Sequence, residues 1–147
     1  MYQRILVATD GATHSEKAVG GAIDLAAALG AELVALHVVP HYAVSYFEGA
    51  VIQPAQDIAR AEKELRDEGQ VVVDAVQKLA LAKNVKVKAI VTQSDLVADS
   101  IMDTAKKHGC DLIVMASHGR KGIKRILMGS ETQHVLTHST QAVLVLR

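Results

Sequence analysis

Two places in this 147-residue chain gather the residue types that hold a charged ligand. One is Ala8-Thr9-Asp10-Gly11, where a hydroxyl and a carboxylate follow a short apolar run. The other is Met115-Ala116-Ser117-His118-Gly119, continued by Arg120-Lys-Gly-Ile-Lys-Arg-Ile-Leu-Met128 and then Gly129-Ser130. This second segment has the parts of an anion cradle. Its glycines at 119 and 129 let the backbone approach a ligand closely or take positive φ. Gly129-Ser130 opens a predicted helix, whose first amides lack partners and whose dipole favours negative charge. Arg120, Lys121, Lys124 and Arg125 add positive charge, so a polyphosphate matches the place. Plain turn chemistry accounts for the same residues too, since Asp before Gly is a favoured turn pair and Ser130 an ordinary helix cap. His118 is open between a ligand contact and a hydrogen bond within its loop.

Other groups carry less chemistry. His134 and His138 are one helical turn apart, but the Val135-Leu-Thr between them lacks the glutamate of a zinc protease, and no third ligand is evident. His37 and His41 share that spacing, and Pro40 breaks any common helix face. Cys110, the one cysteine, precedes an apolar run and reads as a buried, inert thiol in a reducing compartment. No lysine precedes Ser130 as a P-loop requires, and no Gly-x-Gly-x-x-Gly follows the first run. A receiver domain would need an acidic pair where Asp10 stands alone.

The elements that must position these residues are legible from periodicity. Ile5–Ala8, Leu33–Val39, Val85–Val91, Leu112–Ala116 and Ala142–Leu146 read as strands, most of them continuously apolar and so covered on both faces. In the third, Lys86 and Lys88 alternate with Val85, Val87 and Ala89, which suits a sheet edge. Thr13-His-Ser-Glu16 reads as a capping box opening a helix that Gly30 ends, with Ala18, Ala22, Leu25, Ala26 and Leu29 on its apolar face. A longer helix spans about Ala55 to Lys83, with Ile58, Leu65, Val72, Val76 and Leu79 on one stripe. Ser94 caps a third that carries Leu96, Ile101 and Ala105 and ends at Gly109. Ser130-Glu-Thr-Gln133 reads as a second capping box, for a helix through about His138.

This alternation predicts a single α/β domain over 1–147, an open five-stranded parallel sheet with helices on both faces and right-handed crossovers. Ligands of such sheets bind beyond the carboxyl ends of the strands, where strand order reverses. The unpatterned stretch from Pro40 to Pro54 is long enough to be functional.

Composition removes whole classes of function. Sixteen basic residues balance sixteen acidic ones, which argues against a nucleic-acid or membrane partner recruited by bulk charge. Only Tyr2, Tyr42, Tyr46 and Phe47 are aromatic, too few for a base-stacking platform. The opening apolar run is too short for a signal-peptide core, and Leu25 to Val39 is broken by Gly30, Glu32 and His37. The expectation is a soluble, cytoplasmic protein.

Ala116-Ser117-His118-Gly119, nine further residues and Gly129-Ser130 resemble the Gly-x2-Gly-x9-Gly-(Ser/Thr) signature of the ATP-binding universal stress proteins. Ala116 stands where that signature has its first glycine. Ile5-Leu-Val-Ala-Thr-Asp-Gly11 and Leu36-His-Val38 are similar to the family's first two strands, so the likeness runs along essentially the whole chain. The resemblance implies a Rossmann-like fold of the adenine nucleotide alpha hydrolase-like kind and a site for ATP, ADP or AMP. Ala8, Thr9 and Asp10 would line its nucleoside side, with Asp10 facing the ribose hydroxyls or a phosphate-bound Mg2+ or Mn2+. Val38 would offer backbone groups and an apolar wall to adenine, while Met115 and Ala116 flank the ribose. His118, Gly119, Arg120, Gly129, Ser130, Glu131 and Thr132 would surround the phosphates. It also implies a homodimer through the last strand and a regulatory role toward a protein partner in stress. A slow ATPase or nucleotidyl-transfer enzyme and a nucleotide-free interaction module are the alternatives.

Overall fold

Short β-branched runs separated by helix-forming segments leave the chain one economical solution, a sheet wound from its middle outward. The computed structural model describes residues 1–43, 46–47, 50–51, 54–118 and 128–147. The elements begin with β1 (Arg4–Ala8), α1 (Glu16–Leu29), β2 (Glu32–Val39), and a small antiparallel hairpin of β3 (Tyr46–Phe47) and β4 (Ala50–Val51). They continue with α2 (Ala55–Ala82), β5 (Val87–Gln93), α3 (Val97–Lys107), β6 (Leu112–Ala116), α4 (Ser130–His138) and β7 (Ala142–Leu146).

The main sheet has the order β5-β2-β1-β6-β7, parallel throughout. Ile5 is paired with Leu33 on one side and Leu112 on the other. From β1 the chain builds outward through β2 to β5, then returns to lay β6 against β1's other edge. The switch point therefore lies between β1 and β6.

Alternation along the strands divides the core. Ile5, Val7, Leu33, Ala35, Val114 and Ala116 pack with Ala18, Ala22 and Ala26 of α1 and Val76 and Ala80 of α2. Leu6, Val34, Leu36, Ile113 and Met115 pack with Ala98, Ile101 and Ala105 of α3 and Val135 of α4. At about 25 cal/mol per Å2 of apolar surface, these two faces are the main source of stability.

The expected edge strand is at the edge, although it starts at Val87 and runs to Gln93. Val85 is buried in the preceding turn, its amide bonded to the Ala80 carbonyl. The α2 stripe also differs from expectation. Its buried residues are Gly69, Val73, Val76 and Ala80, while Leu79 is exposed. Gly69 explains the rotation: a Cβ there would fall 2.8 Å from Val39 Cγ1 and 3.1 Å from Val91 Cγ1, so only a bare backbone lets α2 sit this close to β2 and β5.

None of the three expected caps forms. Thr13 lies in a 3-10 turn, Thr13–Ser15, before α1, and no side chain caps the helix. Ser94 Oγ instead accepts from the Leu96 amide, a local turn. Gly129 precedes α4 without a side-chain cap, and the Gln133 side chain donates to the Met128 carbonyl at 3.2 Å. Glu131, expected at the phosphates, reaches across to accept from the Ala98 amide at α3's start, 2.9 Å away.

At the amino ends of the strands, Arg4 donates from Nε and Nη2 to Glu32 Oε2 at 3.0 and 2.7 Å, and from Nη1 to the His108 carbonyl at 2.6 Å. Asp111 accepts from the Gln3 and Arg4 amides at 2.9 and 3.1 Å.

Candidate functional site

β1 and β6 are neighbours in the sheet, so the turn after β1 and the described start of the chain leaving β6, Ser117 and His118, emerge side by side at the carboxyl edge. The Gly129 amide donates to the Ser117 carbonyl at 2.8 Å, which returns the chain to the end of β6 just before α4 begins.

On the β1 side, Ala8 ends the strand and its methyl packs toward the α3 face. The Thr9 hydroxyl is turned inward. Ser15 Oγ donates to the Ala12 carbonyl at 2.8 Å, so its single proton is engaged and Thr9 must be the donor across their 3.0 Å contact. Thr9 Oγ1 in turn accepts from the Gly11 amide at 3.2 Å. Gly11 takes φ +77°, and a Cβ there would lie 2.8 Å from Val72 Cγ2, so the turn needs glycine twice over.

Asp10 has two unlike oxygens. Oδ1 accepts from the Ala12 amide at 2.9 Å, an Asx turn. Oδ2 is buried with no hydrogen-bond partner, and His14 Nε2 is 3.5 Å away. A carboxylate oxygen left this way has an unmet demand for a donor.

On the β2 side, the backbone of Val38 is the notable feature. In a parallel strand the amide and carbonyl of one residue point to the same neighbour, and successive residues alternate. The Thr9 amide donates to the Leu36 carbonyl and the Ser94 amide to the Val39 carbonyl, so Leu36 and Val38 face β1 while Val39 faces β5. The β1–β2 register ends at Ala8 and Leu36. The Val38 amide and carbonyl therefore point to the β1 side beyond that strand's end, beside a half-buried valine side chain.

On the β6 side, the Met115 side chain and the Ala116 methyl are both buried, on opposite faces. Ala116's methyl thus fills α1-side core. Thr132 is 2% exposed and its hydroxyl donates to the Ala116 carbonyl at 2.9 Å, tying α4 to the strand end. Ser117 Oγ and His118 Nδ1 are 3.0 Å apart. Ser130 is exposed at α4's first turn, whose leading amides have no carbonyl one turn back. Gly119, Arg120, Lys121, Lys124 and Arg125 lie outside the described residues.

Sequence reasoning missed His37, whose Nδ1 is 2.6 Å from the Thr9 carbonyl. Its signal was a polar residue within an apolar central strand, immediately before Val38. One other expectation holds: Cys110 is buried, and desolvation pushes its thiol up to about 11. His134 and His138 stack on each other with ring centroids 4.3 Å apart.

Compared with known proteins, residues 1–147 match the model of the Universal stress protein family. The chain is also 34% identical over 149 residues to Universal stress protein YxiE of Bacillus subtilis (strain 168), covering all of both chains. The chain belongs to the universal stress protein family. Among solved structures, Universal stress protein UspA from Lactobacillus plantarum has a TM-score of 0.83 at 27% identity, covering 99% of this chain and 98% of that one. A universal stress protein solved in complex with cAMP has a TM-score of 0.69 at 23% identity, covering 99% and 97% of the two chains, a likeness of fold. No helix among the described residues of this universal stress protein is long and apolar enough to cross a membrane.

Proposed function

We propose that this universal stress protein binds an adenine nucleotide, ATP or its AMP and ADP counterparts, in the crevice between β1 and β6 and acts as a non-enzymatic regulator. The observation that carries this reading is the free Val38 backbone edge. An amide beside a carbonyl complements the N1 acceptor and N6 amino donor of adenine, and Val38's side chain supplies the apolar wall. From there the crevice leads to Gly129 and Ser130, where the opening turn of α4 suits phosphates. A ribose hydroxyl supplies the donor that Asp10 Oδ2 lacks. The cAMP complex of a protein with this fold is consistent with an adenine ligand.

Mg2+ or Mn2+ would arrive on the phosphates, with Asp10 as a carboxylate neighbour. β7 is an edge strand with an apolar sequence, Ala142-Val-Leu-Val-Leu146, suited to pairing with a second copy. Nucleotide would then stabilise the dimer and alter the surface it shows a partner.

The test is a thermal melt with and without Mg-ATP. A hundredfold excess over the dissociation constant should add about 2.7 kcal/mol of stability. A folded protein whose melting temperature ignores millimolar Mg-ATP overturns the reading.

A further inference from the structure

The β1–β2 ladder stops one rung early. The Thr9 amide donates to the Leu36 carbonyl at 3.0 Å, and the next rung of a parallel ladder would run from the Val38 amide to the Thr9 carbonyl. That rung is not made, and the register ends at Ala8 and Leu36. The Thr9 carbonyl is taken by His37 Nδ1, 2.6 Å away. A carbonyl only accepts, so this ring nitrogen carries the proton. The imidazole has room because Gly69 has no side chain, since a Cβ there would fall 3.0 Å from His37 Cδ2.

We propose that His37 is a positioning residue that turns the Thr9 carbonyl toward its own ring nitrogen and away from the Val38 amide, and so holds the Val38 backbone edge open for the adenine base. The proposal rests on the adenine-nucleotide reading of the crevice. Without the ring, Thr9 would have an unsatisfied carbonyl beside an unsatisfied Val38 amide, and the two would close on each other. Closing that rung extends β1 by a residue and removes the donor that a base would use. The pairing of a histidine on β2 with a glycine on α2 is then one device, with Gly69 making the space in which His37 works.

Two variants and two readouts test this. In His37→Leu a methyl replaces the donor at similar reach. In His37→Asn an amide nitrogen sits the same number of bonds from the backbone as Nδ1. The readouts are hydrogen exchange of the Val38 amide in nucleotide-free protein and calorimetric affinity for ATP. In the wild type the Val38 amide should exchange at least about tenfold faster than the Thr9 amide, which has its strand partner. In His37→Leu the Val38 amide should become protected and ATP should bind about tenfold more weakly, while His37→Asn restores both.

Slow Val38 exchange in the nucleotide-free wild type overturns the proposal and requires no variant to fold. A folded His37→Leu that matches the wild type in either readout overturns it too. Should the wild type bind no ATP, the nucleotide reading falls, and the exchange contrast alone decides whether His37 keeps the rung open.

Discussion

At the amino ends of the strands, Arg4 donates to Glu32 and to the His108 carbonyl, Lys86 to Glu32, and the Asp111 carboxylate accepts from two backbone amides. At the carboxyl ends, Val38 presents an amide and carbonyl beyond the last rung, and the buried Asp10 Oδ2 has no hydrogen-bond partner. A buried polar group left unmade costs about 1–3 kcal/mol. The contrast separates an end whose polar groups are bonded to one another from the end at which we propose that a ligand binds. Concavity alone would mislead. A hollow of about 240 Å3 lies at the amino end, but its Arg4, Glu32 and Lys86 are already bonded to one another.

The largest effect expected is from Gly69→Ala. Its methyl meets Val39, Val91 and His37 at contact distances too short to keep, and overpacking of this kind costs about 1–3 kcal/mol. The urea midpoint should fall and ATP affinity with it, because His37 is displaced. Next, Asp111→Ala removes the acceptor for the Gln3 and Arg4 amides and should cost about 1 kcal/mol. ATP affinity should stay at the wild-type value, and a loss there would break the division between the two ends. Asp10→Asn keeps an oxygen for the Ala12 amide, so stability should move by less than about 0.5 kcal/mol. ATP binding should nonetheless weaken severalfold by calorimetry, the reverse of the Asp111 pattern.

The smallest effect is a pH dependence at the amino end. Hydrogen bonds from Lys86 and then Arg4 hold the Glu32 carboxyl below the usual carboxylate value of 4.5. The folded state therefore binds its proton less readily than the unfolded chain. The contribution is present above about 4.5 and is lost as pH falls through the lowered folded value. Burial first, then Lys88, Lys107 and Arg4, lower His108 below its ordinary 6.5, so His108 also disfavours the folded state as pH falls through that value. Denaturant titrations from neutral pH to about pH 3 should show stability falling, and Lys86→Met should flatten the Glu32 part of the slope below about 4.5.

Much of this was legible in the sequence because it rests on local pattern. The five apolar runs, the lysine alternation that marks an edge, and the glycine spacing after β6 depend on nearest neighbours and strand period. Where contacts across space decide, the reading slipped. Hydropathy assigned α2 a stripe through Leu65, Val72 and Leu79, because it cannot see that Gly69 is the point of contact and turns Val73 and Ala80 inward. Three caps were assigned to nearby hydroxyls, yet α3's first turn takes its acceptor from Glu131, thirty-three residues away in the chain. For the proposed site, Asp10, Val38 and Ser130 were picked out by type, position and resemblance. The roles proposed for the Val38 backbone edge and for His37 rest on a rung that is absent, which could not be read from composition or period.

The measurement that bears most directly on the division is a chemical-shift titration of the labelled protein with Mg-ATP. Saturating changes should centre on Asp10, Val38 and the amides of Ser130, Glu131 and Thr132, leaving the Arg4, Lys86 and His108 end unmoved. Absence of change at millimolar nucleotide, or changes centred on Arg4 and Lys86, would contradict the account.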